Sequence, residues 1–111
     1  MNYSIFLDDE RIPTDVTWIK LPDTLWYVAR NYQAFIDGIK LQGMPEYITF
    51  DHDLQDFNED GSENTGYTCL KWLVDYCIDH DMMLPICFFH SMNPIGVKNM
   101  KSYYENALRF Q

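Results

Sequence analysis

The chain has no apolar run approaching the roughly 18 residues that a bilayer-spanning helix needs. Its first stretch, MNYSIFLDDER, carries no basic region and no small-residue cleavage site, so no secretory leader is expected and the cytoplasm is the expected compartment. Basic residues are scarce. Eight Lys and Arg against 17 Asp and Glu leave a net charge of −9, which disfavours a broad surface for a nucleic-acid backbone. The three cysteines, Cys69, Cys77 and Cys87, are odd in number and show no C-x-x-C spacing, so buried reduced thiols are expected rather than a disulfide framework. No repeat, low-complexity tract or Ser/Gly linker divides the 111 residues, so one domain over 1–111 is expected. What is plentiful is apolar and aromatic content, 47% and 16%, enough for a core without staples.

Apolar runs that stop abruptly in acid set the organisation. Tyr3 to Leu7 reads as a buried parallel strand ending in Asp8-Asp9. Residues 12–24, with Pro13 and Pro22 and no helical period, read as an extended excursion. Leu25 to Ala29 is a second strand, followed by a helical spacing at Tyr32, Phe35, Ile36 and Ile39 that Gly43 and Pro45 stop. Tyr47 to Phe50 is a third strand and runs into Asp51-His52-Asp53; a polar loop spans Gln55 to Thr65. Leu70, Leu73, Val74, Cys77 and Ile78 mark an amphipathic helix. Pro85 precedes a fourth strand, Ile86 to Phe89, which ends in His90-Ser91. A last helix runs from about Ile95, with Asn93 as its cap and Pro94 in its first turn. Strands alternating with helices predict an α/β parallel sheet with its working site outside the carboxyl ends of the strands.

Asp8, Asp9, Asp51 and Asp53 would then crowd at one sheet edge, where like charges need a cation or a guanidinium among them. An oxygen-rich set without sulfur suits Mg²⁺ or Mn²⁺. The plain structural alternative is that some of these acids cap helices or pair with Arg11. His52 and His90 at the ends of neighbouring strands suit acid–base work on a phosphate ester, and Ser91 suits holding a phosphate oxygen or acting as a nucleophile. Structural, hydrogen-bonded histidines are the competing reading. The backbone amides at Thr65-Gly66, where the loop enters a helix, are candidates to receive an anion, and Asn93 to help position it.

Three further features weigh less. Asp56 to Ser62 partly matches a calcium loop, but Tyr67 stands where that loop needs a Glu. Trp18 is either a base-stacking surface or a buried plug, and His80 reads as a surface residue.

Ile5-Phe6-Leu7-Asp8-Asp9-Glu10-Arg11-Ile12-Pro13, Thr49-Phe50-Asp51-His52-Asp53-Leu54, Thr65-Gly66-Tyr67 with Lys71-Trp72-Leu73, and His90-Ser91-Met92-Asn93-Pro94-Ile95-Gly96 with Asn99-Met100 resemble the cyclic-phosphate processing receiver domain family, in order and over nearly the whole chain. The resemblance implies a receiver-like (flavodoxin-like) three-layer α/β sandwich with a truncated four-stranded parallel sheet of order 2-1-3-4. It implies that Asp8 and Asp9 are the acid pair that holds Mg²⁺, that Asp51 sits at the phospho-acceptor position, and that His90-Ser91-x-Asn93 replaces the fourth-strand hydroxyl. A fifth strand with its lysine is not found, which argues against ordinary phosphorelay signalling.

The expected function is therefore a divalent-metal-dependent phosphoesterase opening a cyclic phosphate on a nucleotide or an RNA end. His52 and His90 would be base and acid, and Arg11, Thr65, Gly66 and Asn93 would contact the substrate. The alternatives are a receiver-like binding or regulatory module without turnover, and an acidic accessory protein of viral type that docks on a basic protein partner through Asp51–Glu63.

Overall fold

The structure, a computed structural model, describes residues 2–111. Strand β1 (Ser4–Leu7) leads into a long connection whose regular part is one 3₁₀ turn at Pro13–Asp15. Strand β2 (Trp26–Ala29), helix α1 (Tyr32–Gln42) and strand β3 (Tyr47–Phe50) follow. The loop expected after β3 holds a small antiparallel ladder, β4 (Asp56–Phe57) with β5 (Glu63–Asn64), before helix α2 (Gly66–Asp79). Strand β6 (Ile86–Phe89) and helix α3 (Pro94–Leu108) complete the order.

The four long strands form one parallel sheet in the order β2-β1-β3-β6, so the fourth strand of the sequence reading is β6. Three helices and this strand order make an α/β, receiver-like arrangement of the flavodoxin type. Alternation along each strand sends Ile5, Leu7, Ile48, Phe50, Cys87 and Phe89 to one face. There they share a single buried cluster with Phe35 and Ile39 of α1, Leu70 and Leu73 of α2 and Met100 of α3. Fully burying a Leu such as Leu70 or Leu73 contributes roughly 1.5–3 kcal/mol.

The opposite face carries Ser4, Phe6 and Thr49, all fully buried. No α-helix covers it from the β1–β2 connection. The layer there is the connection itself, pinned by Ser4 Oγ against Thr24 Oγ1 at 3.0 Å and by Trp18. Helix boundaries follow local chemistry. Asn31, Thr65 and Asn93 each accept a hydrogen bond from a first-turn amide, and Pro94 opens α3, where its missing N–H costs nothing. Gly43, at φ +89, ends α1 in a conformation that side chains resist. No helix among the described residues is long and apolar enough to cross a membrane.

Candidate functional site

Strands β1, β3 and β6 end side by side, so their next residues meet. Asp8, Asp51 and His90 bring one ligand atom each to within 4.8 Å of the others, a spacing that could hold a metal ion. Beside them opens a cleft of about 510 Å³, lined by Asp9, Glu10, Arg11, Asp51, Asp53, Gln55, Ser91, Met92 and Asn93.

Asp8 is wholly buried, and its carboxylate is saturated. Oδ1 accepts the amides of Glu10 at 3.0 Å and Arg11 at 2.9 Å. Oδ2 accepts Nη1 of Arg11 at 3.2 Å and Nε2 of His90 at 3.0 Å. Burial pushes the Asp8 carboxyl up, but His90 and the two amides outweigh it, and the net shift is strongly downward. Asp51 goes the other way. Burial and the neighbouring Asp8 charge raise it, against weaker lowering by the His52 amide, His90 and Ser91. The two carboxylates thus share a site with opposed proton affinities. Arg11 Nη1 stands between them, 3.9 Å from Asp51 Oδ2.

The histidines differ sharply. His90 has no exposed surface. Its ring stacks on Phe6, with centroids 4.6 Å apart, and Nδ1 lies 2.8 Å from Thr49 Oγ1 while Nε2 donates to Asp8. Both nitrogens are spent, and neither His90 nor His52 is among the residues that line the cleft; only His52 keeps a ring nitrogen without a partner. This corrects the expectation that His90 presents a proton to substrate: its position suits holding Asp8 in place. His52 is partly exposed, and its Nδ1 lies 2.9 Å from Asp53 Oδ1. Asp53 Oδ2 in turn accepts Asn93 Nδ2 at 3.3 Å. The hydrogen bonds from His52 and Asn93 carry the Asp53 carboxyl downward. The His52 ring packs on Gly96, where an added Cβ would lie 2.6 Å from Cγ.

The Thr65 and Gly66 amides are a second correction. Gly66 N–H donates to the His52 carbonyl at 2.8 Å and Thr65 N–H to Thr68 Oγ1 at 3.0 Å, so neither amide is free to receive an anion. Gly66 instead serves close packing, since a Cβ there would fall 1.8 Å from the Asp51 carbonyl oxygen. The calcium-like loop spends oxygens on protein donors inside and outside it. Asp56 accepts the Tyr32 amide and Asp60 accepts Ser62, with Gly61 at φ +87 in the turn. His80 is exposed and caps α2.

Trp18 is 39% exposed, so it is not a buried plug, and its contacts are with the protein itself. Its indole N–H donates to the His90 carbonyl, and its ring carries the Arg11 guanidinium at 5.4 Å. Gln55 read only as the start of a polar loop, not as a residue of the site. It lines the cleft at φ +52, a conformation uncommon outside glycine, and no sequence pattern marks such a residue.

Both ligand sets test the fit of a divalent ion. Asp9 and Asp53 border the cleft but lie outside the Asp8/Asp51/His90 group. Within that group Asp8 and His90 have no acceptor or donor to spare, and a guanidinium already sits against the carboxylate pair. No buried side-chain polar atom among the described residues lacks a partner. As arranged, Asp8 and His90 are engaged by protein partners with Arg11 against the carboxylate pair, while Asp9, Asp51 and Asp53 face the cleft.

No curated protein and no solved structure matches the chain. A family model described as the cyclic-phosphate processing Receiver domain matches residues 3–106, which include the acidic strand ends, the cleft and all three helices nearly to the end of α3. The chain therefore belongs to the cyclic-phosphate processing receiver domain family.

Proposed function

We propose that this chain is a phosphoesterase that binds a cyclic phosphate in the cleft and opens it by attack of water. The observation that carries the reading is one cationic group, Arg11, set in the wall of an otherwise acidic cleft beside Ser91 and Asn93. A singly charged phosphodiester entering past Asp9, Glu10 and Asp53 is repelled unless a fixed positive charge faces it. Arg11 supplies that charge, and its planar fork matches two phosphate oxygens.

Asp53 lines the cleft and fixes the His52 ring behind it through Nδ1, which leaves Nε2 to take the proton of a water attacking from the cleft's edge. The water oxygen bonds to phosphorus, one ring P–O bond breaks, and the leaving oxygen needs a proton. Asp51 is the acid for that step: burial and the Asp8 charge favour its protonated form. The product is a phosphomonoester; His52 then releases its proton to solvent and Asp51 takes one back from solvent.

The test is a panel of 2′,3′- and 3′,5′-cyclic nucleotides with products resolved. Opening of any member by the wild type, lowered on the order of a hundredfold in His52→Ala, supports the reading. Full turnover in His52→Ala sinks the base assignment. The burial of His90 favours a second reading, a receiver-like module that binds a cyclic nucleotide without turnover. Saturable binding with no product selects it.

A further inference from the structure

Asp8, the buried member of the expected acid pair for a divalent ion, is already balanced, and the balance is built from several directions. An ionised carboxylate has about four acceptor sites. Asp8 fills four, two on each oxygen. A metal at Asp8 must therefore break at least one buried hydrogen bond, and the His90 nitrogens offer no lone pair without losing Thr49 or Asp8.

Arg11 is held as firmly as its partners. Its amide bonds Asp8, its carbonyl accepts Arg30 Nη1 at 2.7 Å, and the same Nη1 reaches the Asp8 carbonyl at 3.3 Å. Its guanidinium lies over Trp18, which is itself tied to the His90 carbonyl. The backbone bonds fix where Arg11 starts, and Asp8 and the Trp18 ring hold its guanidinium. With Nη1 committed to Asp8, the remaining donors of the fork stay on a side chain that is 28% exposed and lines the cleft.

We infer that Arg11 is the resident cation of this site, balancing Asp8 and Asp51 and presenting its free N–H groups to phosphate, so that the chain binds its anionic ligand without a divalent ion. The inference rests on the cleft being the phosphate site, but not on turnover.

Two titrations of the full chain test it, both read by tryptophan fluorescence and by the amide resonances of residues 8–11. Magnesium chloride, taken into the millimolar range, should leave the wild type unchanged. Arg11→Gln, which removes the guanidinium, should acquire saturable magnesium shifts. Inorganic phosphate in excess EDTA should bind the wild type and bind Arg11→Gln about tenfold or more weakly, as expected for one lost charge-assisted contact. Saturable magnesium binding to the wild type at residues 8–11 overturns the inference, as does phosphate binding that EDTA abolishes. If Arg11→Gln does not fold, Arg11→Lys keeps the charge without the fork. It should still exclude magnesium while weakening phosphate, and unchanged phosphate affinity in it counts against the fork. Failure of the phosphoesterase reading looks different: both titrations behave as expected and no cyclic nucleotide is opened.

Discussion

Trp18 donates its indole N–H to the main-chain carbonyl of His90 across 2.8 Å, bridging 72 positions of sequence. That one bond fastens the helix-free β1–β2 connection over the end of β6 and sets a flat ring beneath Arg11. Trp18→Phe keeps an aromatic surface but leaves the carbonyl unpaired, at a cost of about 1 kcal/mol. Trp18→Ala also removes the cation–π contact, typically about 0.5–2 kcal/mol. Thermal unfolding should rank the two below wild type in that order, and only the alanine variant should markedly weaken phosphate binding. Equal phosphate affinity in both variants would show that the ring does not hold Arg11.

Gly66 offers a sharper test of how the site is packed. A methyl group there would sit 1.8 Å from the Asp51 carbonyl oxygen, which is backbone and has no rotamer to adopt. Gly66→Ala must shift either the start of α2 or the strand end that carries Asp51, and should cost more than about 3 kcal/mol, beyond ordinary overpacking. Gly43→Ala is the control. It lies in open space at φ +89, so only backbone strain applies and the loss should be about 1 kcal/mol. Chemical denaturation of the two variants separates steric from conformational cost.

The sheet was legible because apolar runs ending in acid are how buried parallel strands read, and the register puts Leu7, Phe50 and Phe89 level, each one residue before its polar group. The caps at Asn93 and Thr65 were legible as local chemistry. The direction of His90 was not. A strand end says that a side chain reaches the sheet edge, whereas its burial depends on Phe6, Thr49 and Asp8, at up to 82 residues' separation. The role of Thr65-Gly66 misled for a related reason. A helix start predicts free amides only until another strand end, here the His52 carbonyl, is found docked against it. Pairing with Arg11 was visible as an alternative, and only geometry could choose it over a metal.

The two buried aspartates should move stability in opposite directions with pH. Asp8 has a depressed carboxyl, so its contribution is present above the ordinary value of 3.8 and is lost as pH falls through the folded value. Asp51 has a raised one, so it favours the fold while protonated and costs stability as pH rises through its folded value. Asp51→Asn should therefore be more stable than wild type at neutral pH, by roughly 1 kcal/mol, with the gain shrinking in acid. Asp8→Asn should lose roughly 3–5 kcal/mol at neutral pH, because Arg11 and His90 lose their acceptor, and the deficit should narrow in acid. Denaturation curves at several pH values would contradict this assignment if Asp51→Asn proved less stable at neutral pH.

Gly96 and His52 form the last pair, and their coupling isolates the proton acceptor from the fold. A Cβ at position 96 would approach His52 Cγ to 2.6 Å and Cδ2 to 2.7 Å, so Gly96→Ala must turn or push the ring. The ring is a movable side chain with part of its surface in solvent, so the stability cost should be about 1–3 kcal/mol rather than loss of folding. Displacing it pulls Nδ1 from Asp53 and moves Nε2 by a fraction of an ångström or more, which is enough to cost on the order of a hundredfold in turnover. In His52→Ala the clash disappears, so adding Gly96→Ala should cost little further in either stability or rate. A double-mutant cycle measures this directly, since residues in contact should show a coupling of about 0.5–3 kcal/mol. Additive effects would mean that Gly96 acts through the cap at Asn93, whose side chain accepts the Gly96 amide, and not through the histidine.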